Sequence, residues 1–237
     1  ATTEIYTLSL HDALPICIKG DITVLYNIAI LPFALLWSGM YMDGEMTTLE
    51  RIHASAKREF LEKGFQGASL RNIVKSAGVT TGAFYGYYDS KEKLFDALVS
   101  GQYEHLMEMY VNTQNGFKKL EPGAQQENMG KVGGDCLEQM LDYMYENEDE
   151  FRLILTCSKG TRYENMVHEM SEIEVQATHD FVELMRKNGN DIRQIDPKLE
   201  HVLVSGMFSA FFELLIHRND ITEAKTYLKQ LREFYTA

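Results

Sequence analysis

The chain has 237 residues, 45% of them hydrophobic and 24% charged. That length allows one or two domains with a sizeable core and excludes a large multi-domain machine. Its 4 prolines and 17 glycines exclude a collagen-like or low-complexity chain. The formal net charge of −12 argues against a general nucleic-acid binder.

The charge is unevenly spread. Residues 47–99 hold eight Lys and Arg against six Asp and Glu, whereas residues 100–237 hold fourteen against twenty-four. A slightly basic block between two acidic ones invites a two-part reading. The three cysteines, Cys17, Cys136 and Cys157, are too scattered for a disulfide framework or a CxxC site. A reducing cytoplasm is the expected compartment.

Residues 1–45 are read as a non-native or disordered extension. The stretch Glu4–Ile16 resembles translated sequencing-adapter read-through, and Met46 stands immediately before a clear helix. The uncharged run Ile22–Met42 is long enough to cross a membrane, which keeps a membrane-tethered alternative open. Pro32 interrupts that run, and its flanks carry no positive-inside signal.

From Thr47 the pattern is helical. Leu49, Ile52, Ala56 and Phe60 share one face, and Gly64 is expected to end that helix. Ser69 can cap a second helix whose buried face is Leu70, Ile73, Val74 and Ala77. After the Ala77-Gly78-Val79 turn, Thr80 can cap a short third helix reaching Tyr87. Val79 and Phe84 would form its hydrophobic staple, and Asp89 with Glu92 reads as a capping box for a fourth.

This order and spacing is that of a helix-turn-helix, which lays its second helix in the DNA major groove. Gly82 and Gly86 each cost about 1 kcal/mol relative to Ala inside a helix. The cost makes sense where another backbone must approach closely. Thr80, Thr81, Tyr85 and Tyr87 give the third helix an exposed, hydrogen-bonding face without negative charge. Lys91 opens the fourth helix, where the dipole disfavours a cation unless a phosphate is bound.

Gly64-Phe65, Ser69–Ile73, Ala77–Tyr85 and Tyr88–Leu94 resemble the signature of the TetR/AcrR family of transcriptional regulators. The resemblance implies an all-α protein with a three-helix DNA-binding domain over 46–99. It implies a helical regulatory and dimerisation domain over 100–237. It implies a dimeric repressor that binds a near-palindromic operator and is released by a small-molecule effector. Carried over position by position, it implies that Thr80, Thr81, Gly82 and Ala83 face the groove and that Ser69 and Arg71 also bind DNA, Arg71 reaching a base or a phosphate. Tyr85, Tyr87 and Lys91 would contact phosphates. The chain departs from the pattern at Val74, Gly86 and Tyr88, and Gly86 removes one contact.

Beyond Ser100 the pattern stays helical, with breaks expected near Glu121–Gly123, Gly130–Gly134, Ser158–Gly160, Asn188–Asn190, Pro197 and Asn219-Asp220. Thr161–Lys187 reads as a long amphipathic helix. Pro197–His217 is apolar around so much of its circumference that it is buried on several sides. Val202, Gly206, Met207, Ala210, Phe211 and Leu214 are the expected dimer interface. Met107, Tyr110, Met140, Tyr143, Met144, Phe151, Met166 and Met170 are candidates for an adaptable effector pocket, with plain core packing as the alternative for each. His168 and His179 lie near acidic residues at a spacing too loose for a metal site. No catalytic set, cofactor motif or metal site is expected. A helical binding protein that does not use DNA remains the other alternative.

Overall fold

The computed structural model describes residues 46–192, 195–217 and 220–236, and these are helical with no strand among them. The elements are α1 (Thr48–Gly67), α2 (Leu70–Ser76), α3 (Thr81–Tyr85), α4 (Lys91–Lys118), α5 (Pro122–Glu146) and α6 (Glu148–Arg152). A π-helical turn, Leu153–Cys157, follows α6; then come α7 (Met166–Lys187), α8 (Pro197–Ile216) and α9 (Ile221–Thr236). Residues 46–237 form one compact unit, and residues 1–45, with the candidate membrane stretch 22–42, lie outside the described residues.

Local chemistry sets most helix ends. Thr47 and Glu50 make a reciprocal capping box at α1, with Thr47 N–H donating to Glu50 at 2.7 Å and Glu50 N–H to the Thr47 hydroxyl at 3.2 Å. Gly64 leaves the helical region at φ 68°, and Phe65 turns into the core behind it. A Schellman motif closes α2: Val79 N–H donates to Val74 C=O and Gly78 N–H to Lys75 C=O, with Gly78 at φ 65°. Asp196 caps α8 just before Pro197, accepting from Lys198 N–H at 2.9 Å.

Four expected boundaries differ. The Ser69 side chain makes no capping bond; the Glu59 carboxylate accepts its backbone N–H at 3.1 Å instead and ties α2 to α1. Helix α4 is capped by Ser90, which accepts from Lys93 N–H at 3.2 Å, so the Asp89–Glu92 capping box is one residue out of register. Helix α3 stops at Tyr85 rather than Tyr87. Helix α5 runs unbroken through Gly130–Gly134, and the guanidinium of Arg232 from α9 lies where a Cβ on Gly134 would stand. The glycine leaves room for that side chain rather than ending its helix.

The long amphipathic segment begins as a helix only at Met166. Before it, Gly160 takes φ 86° and its N–H is received by Glu164 at 2.6 Å, while Thr161 donates to Ser158 C=O.

One continuous apolar core runs from Ile52 to Leu228. Its joint is aromatic. Phe95 of α4 meets Phe60 edge-on at 5.1 Å, Phe65 at 5.4 Å and Tyr163 at 6.0 Å. Polar ties bracket this joint: Lys57 pairs with Glu150, and Asp96 accepts from Arg162 at 3.0 Å and from the Tyr163 hydroxyl. The hydrogen bond from Tyr163 holds the Asp96 carboxyl below its ordinary range.

Truncating Phe95 to Ala opens a cavity touching residues from α1, α4 and the loop before α7, which predicts a loss of about 3–5 kcal/mol. Urea unfolding should show that loss as one transition, with helix content and aromatic environment changing together.

Candidate functional site

The helix-turn-helix presents one face to solvent. Phe84 is the buried residue of α3, and Ile73, Val74 and Ala77 bury the inner side of α2. Thr80, Thr81, Gly82 and Ala83 are exposed, as are Arg71, Asn72 and Lys75 on α2. Tyr85 and Tyr87 hold about half their surface in water, at 53% and 49%. The Thr80 hydroxyl accepts from Ala83 N–H at 3.1 Å, so this threonine caps α3 as well as flanking the exposed face. Ser69 is half-buried at the start of α2.

Lys91 is half-buried at the start of α4. Its ammonium donates to the carbonyls of Phe65 at 2.6 Å and Ala68 at 3.0 Å and lies 4.5 Å from the Phe65 ring centre. The unfavourable position of a cation in the first turn of α4 is therefore offset from within the chain, by carbonyls at the end of α1, without a bound phosphate.

A cavity of about 610 Å³ opens among α4, α5, α7, α8 and α9. Of the eight residues expected to line a pocket, only Tyr110 does so. Met140, Met144, Phe151, Met166 and Met170 are packed into the core, and Met107 and Tyr143 pack against it half-buried. Helical periodicity identified their inward direction but not which inward positions meet a void. The cavity walls instead include Phe117, Met129, Phe181, Leu184, Met207 and Phe208. Glu174 is a lining carboxylate that sequence reasoning missed. Its signal was there: it sits four residues after Met170 and seven before Phe181, on the inward face of α7.

The expected dimer face also divides. Phe211 is completely buried within its own chain, so it belongs to the core and not to an interface. Met207 lines the cavity, and Ala210 and Leu214 are half-buried. Val202 is 63% exposed beside Leu199 and Leu203, and Gly206 is exposed on the same helix. A Cβ on Gly206 would lie 3.2 Å from the Tyr235 hydroxyl of α9, where Phe234 is 76% exposed. Among the described residues α8 is the helix long and apolar enough to cross a membrane, although Phe208, Phe211, Phe212 and Leu215 pack into the core.

Residues 52–98 match the family described as bacterial regulatory proteins, tetR family. This segment is a tetR-family N-terminal domain. The uncharacterized HTH-type transcriptional regulator YdgC of Bacillus subtilis (strain 168) is 29% identical over 42% of this chain and 49% of its own length. The transposon Tn10 TetC protein of Escherichia coli is 30% identical over 43% of this chain and 46% of its own. The chain thus spans about half the length of the relatives it matches. A transcriptional regulator (TerR/AcrR family) from Aquifex aeolicus VF5 overlaps 80% of this chain and 98% of its own, with 22% identity and a TM-score of 0.47.

Outside the tetR-family domain, the histidines pair differently from the expected grouping along α7. His179 bonds Glu200 of α8 at 2.6 Å. His168 joins Glu172 and, from α8, His201, with ligand atoms within 4.8 Å of one another; these three could hold a divalent ion. Burial pushes the Cys136 thiol up, and the nearby Glu174 charge adds to the shift.

Replacing Lys91 by Ala removes both bonds to the α1 carbonyls. Stability without DNA should fall by about 1–2 kcal/mol, as measured by urea unfolding. A fully solvated lysine would leave the midpoint unchanged.

Proposed function

We propose that the protein is a dimeric, effector-responsive transcriptional regulator that represses by binding a near-palindromic operator. The observation that carries this reading is the exposed face of α2 and α3, where Arg71, Thr80, Thr81, Tyr85 and Tyr87 surround a helix anchored by Phe84. Short hydroxyls and an arginine suit base edges, and phenol hydroxyls suit phosphates. A bacterial cytoplasm is the proposed compartment, because the DNA partner is there. The match to a regulatory family supports a binding role in preference to a catalytic one.

The dimer would pair α8 and α9 of two subunits through Leu199, Val202, Leu203 and Gly206. This places hydrophobic surface against hydrophobic surface about a two-fold axis, matching a palindromic operator. The cavity beside Tyr110 would take the effector, at a volume usual for small-molecule sites.

Fluorescence anisotropy on DNA from upstream of the protein's own gene tests the DNA reading. Binding should be selective and weaken steeply with salt as counterions are released. Thr81→Ala should change the ranking among operator variants by about 1–3 kcal/mol at one position. Salt-insensitive or absent binding would favour a helical binding protein that does not use DNA.

The pairing surface has its own test. The mass in solution should be twice that of one chain. Val202→Glu should yield monomers with intact helix content and operator affinity reduced by at least tenfold. A Val202→Glu protein that stays dimeric would rule this surface out.

A further inference from the structure

The cavity has an uneven charge distribution. Toward its edges the charged side chains are paired: Lys118 with Asp180 at 2.7 Å, and Lys187 with Glu183 at 2.7 Å. Arg232 donates to Glu138 at 3.3 Å and to Gly130 C=O at 3.0 Å. Glu174 is different. Its Oε2 accepts from the Tyr110 hydroxyl and from the Gln114 amide at 2.6 Å. Both donors are neutral, and among the described residues no Lys, Arg or His forms an ion pair with this carboxylate. Burial raises both the Tyr110 hydroxyl and the Cys136 thiol, and the Glu174 charge adds to both shifts.

Around this carboxylate the walls are aromatic and apolar. Tyr110 meets Phe208 edge-on at 5.6 Å, and Phe117 lies against Phe181 at 6.1 Å. A carboxylate held only by neutral donors keeps its charge uncompensated, and a cation brought beside it gains a short-range interaction. Aromatic faces add attraction for a weakly hydrated cation. A carboxylic acid or phosphate entering the same space would meet Glu174 as a like charge.

We propose that the cavity selects a lipophilic monocation, an amine or quaternary ammonium carrying an apolar body, with the cation placed at Glu174. The apolar body would lie between the Phe117–Phe181 and Tyr110–Phe208 pairs. The inference rests on the reading of this cavity as the effector site, and it adds the sign of the ligand's charge. The edge pairs, already neutralised, contribute little to that choice.

Three probes sharing one fluorophore test it on the full chain: dansylcadaverine (cationic), its N-acetyl derivative (neutral) and dansyl-6-aminohexanoate (anionic). Dansyl emission rises and shifts blue when the ring leaves water, so each affinity is read directly. The cationic probe should bind at least tenfold more tightly than the neutral one, and the anionic probe most weakly. Glu174→Gln keeps the size of the side chain and one acceptor oxygen. It should bring the cationic and neutral affinities within about twofold of each other, with the melting temperature little changed. Phe181→Ala should weaken the cationic and neutral probes together.

Equal affinity for the three probes, preference for the anion, no binding of any probe, or a cation preference that survives Glu174→Gln would each overturn the proposal. Operator binding measured in the same samples separates the two readings. A cation that binds through Glu174 but leaves DNA bound upholds the ligand class and refutes the effector role. Release of DNA by the anionic probe alone does the reverse.

Discussion

The structure depends on Phe95. This ring sits near the start of a 28-residue helix and touches aromatic side chains from α1 and from the loop before α7. Without it, the helix-turn-helix would be a small three-helix unit with little core of its own, the size class in which burial barely offsets chain entropy. With it, the head shares the apolar interior of the larger helical body. The polar ties Lys57–Glu150 and Arg162–Asp96 lie beside this joint and fix its orientation more than they add to its strength.

The same helix reaches the cavity. Lys91 at its first turn holds the end of α1, and Tyr110, Gln114 and Lys118 near its other end line the cavity. At 1.5 Å per residue, α4 is about 42 Å long. A helix of that length packs against the core at Tyr110 and, near its start, at Phe95. One continuous helix thus links the cavity to the aromatic joint beneath the helix-turn-helix.

Legibility from sequence followed the range of the interaction. Where a helix end is set by neighbours in the chain, as at Gly64, Gly78, Asn188-Gly189 and Asp196-Pro197, the residues could be read directly. The Thr47–Glu50 capping box was equally local and was overlooked, although a threonine followed three residues later by glutamate is its ordinary sign. At Ser69 the side chain makes no cap bond, and the residue's own N–H is taken by Glu59, ten residues earlier, a contact outside the local pattern. At Gly134 the helix does not break, and a residue 98 positions later packs across it. Burial was legible as a direction but not as a destination. The Met and Tyr positions on α4, α5 and α7 do point inward, and most meet other side chains rather than space. Phe211 and Val202 lie on one apolar helix, and only the surrounding helices decide that the first is core and the second is surface.

The shared aromatic joint also bears on modularity. Two-part helical chains invite exchange of heads, one helix-turn-helix segment spliced onto another helical body. In this chain a junction drawn at residue 99 would leave Phe60, Phe65, Phe95 and Gln66 on one side, and Tyr163 with Gly160, over which the Gln66 side chain lies, on the other. A grafted head would have to bring complementary side chains for the loop before α7 and for the π-helical turn. Recombination within such a lineage is then constrained less by the linker than by the fit of four rings, and heads and bodies should diverge in step.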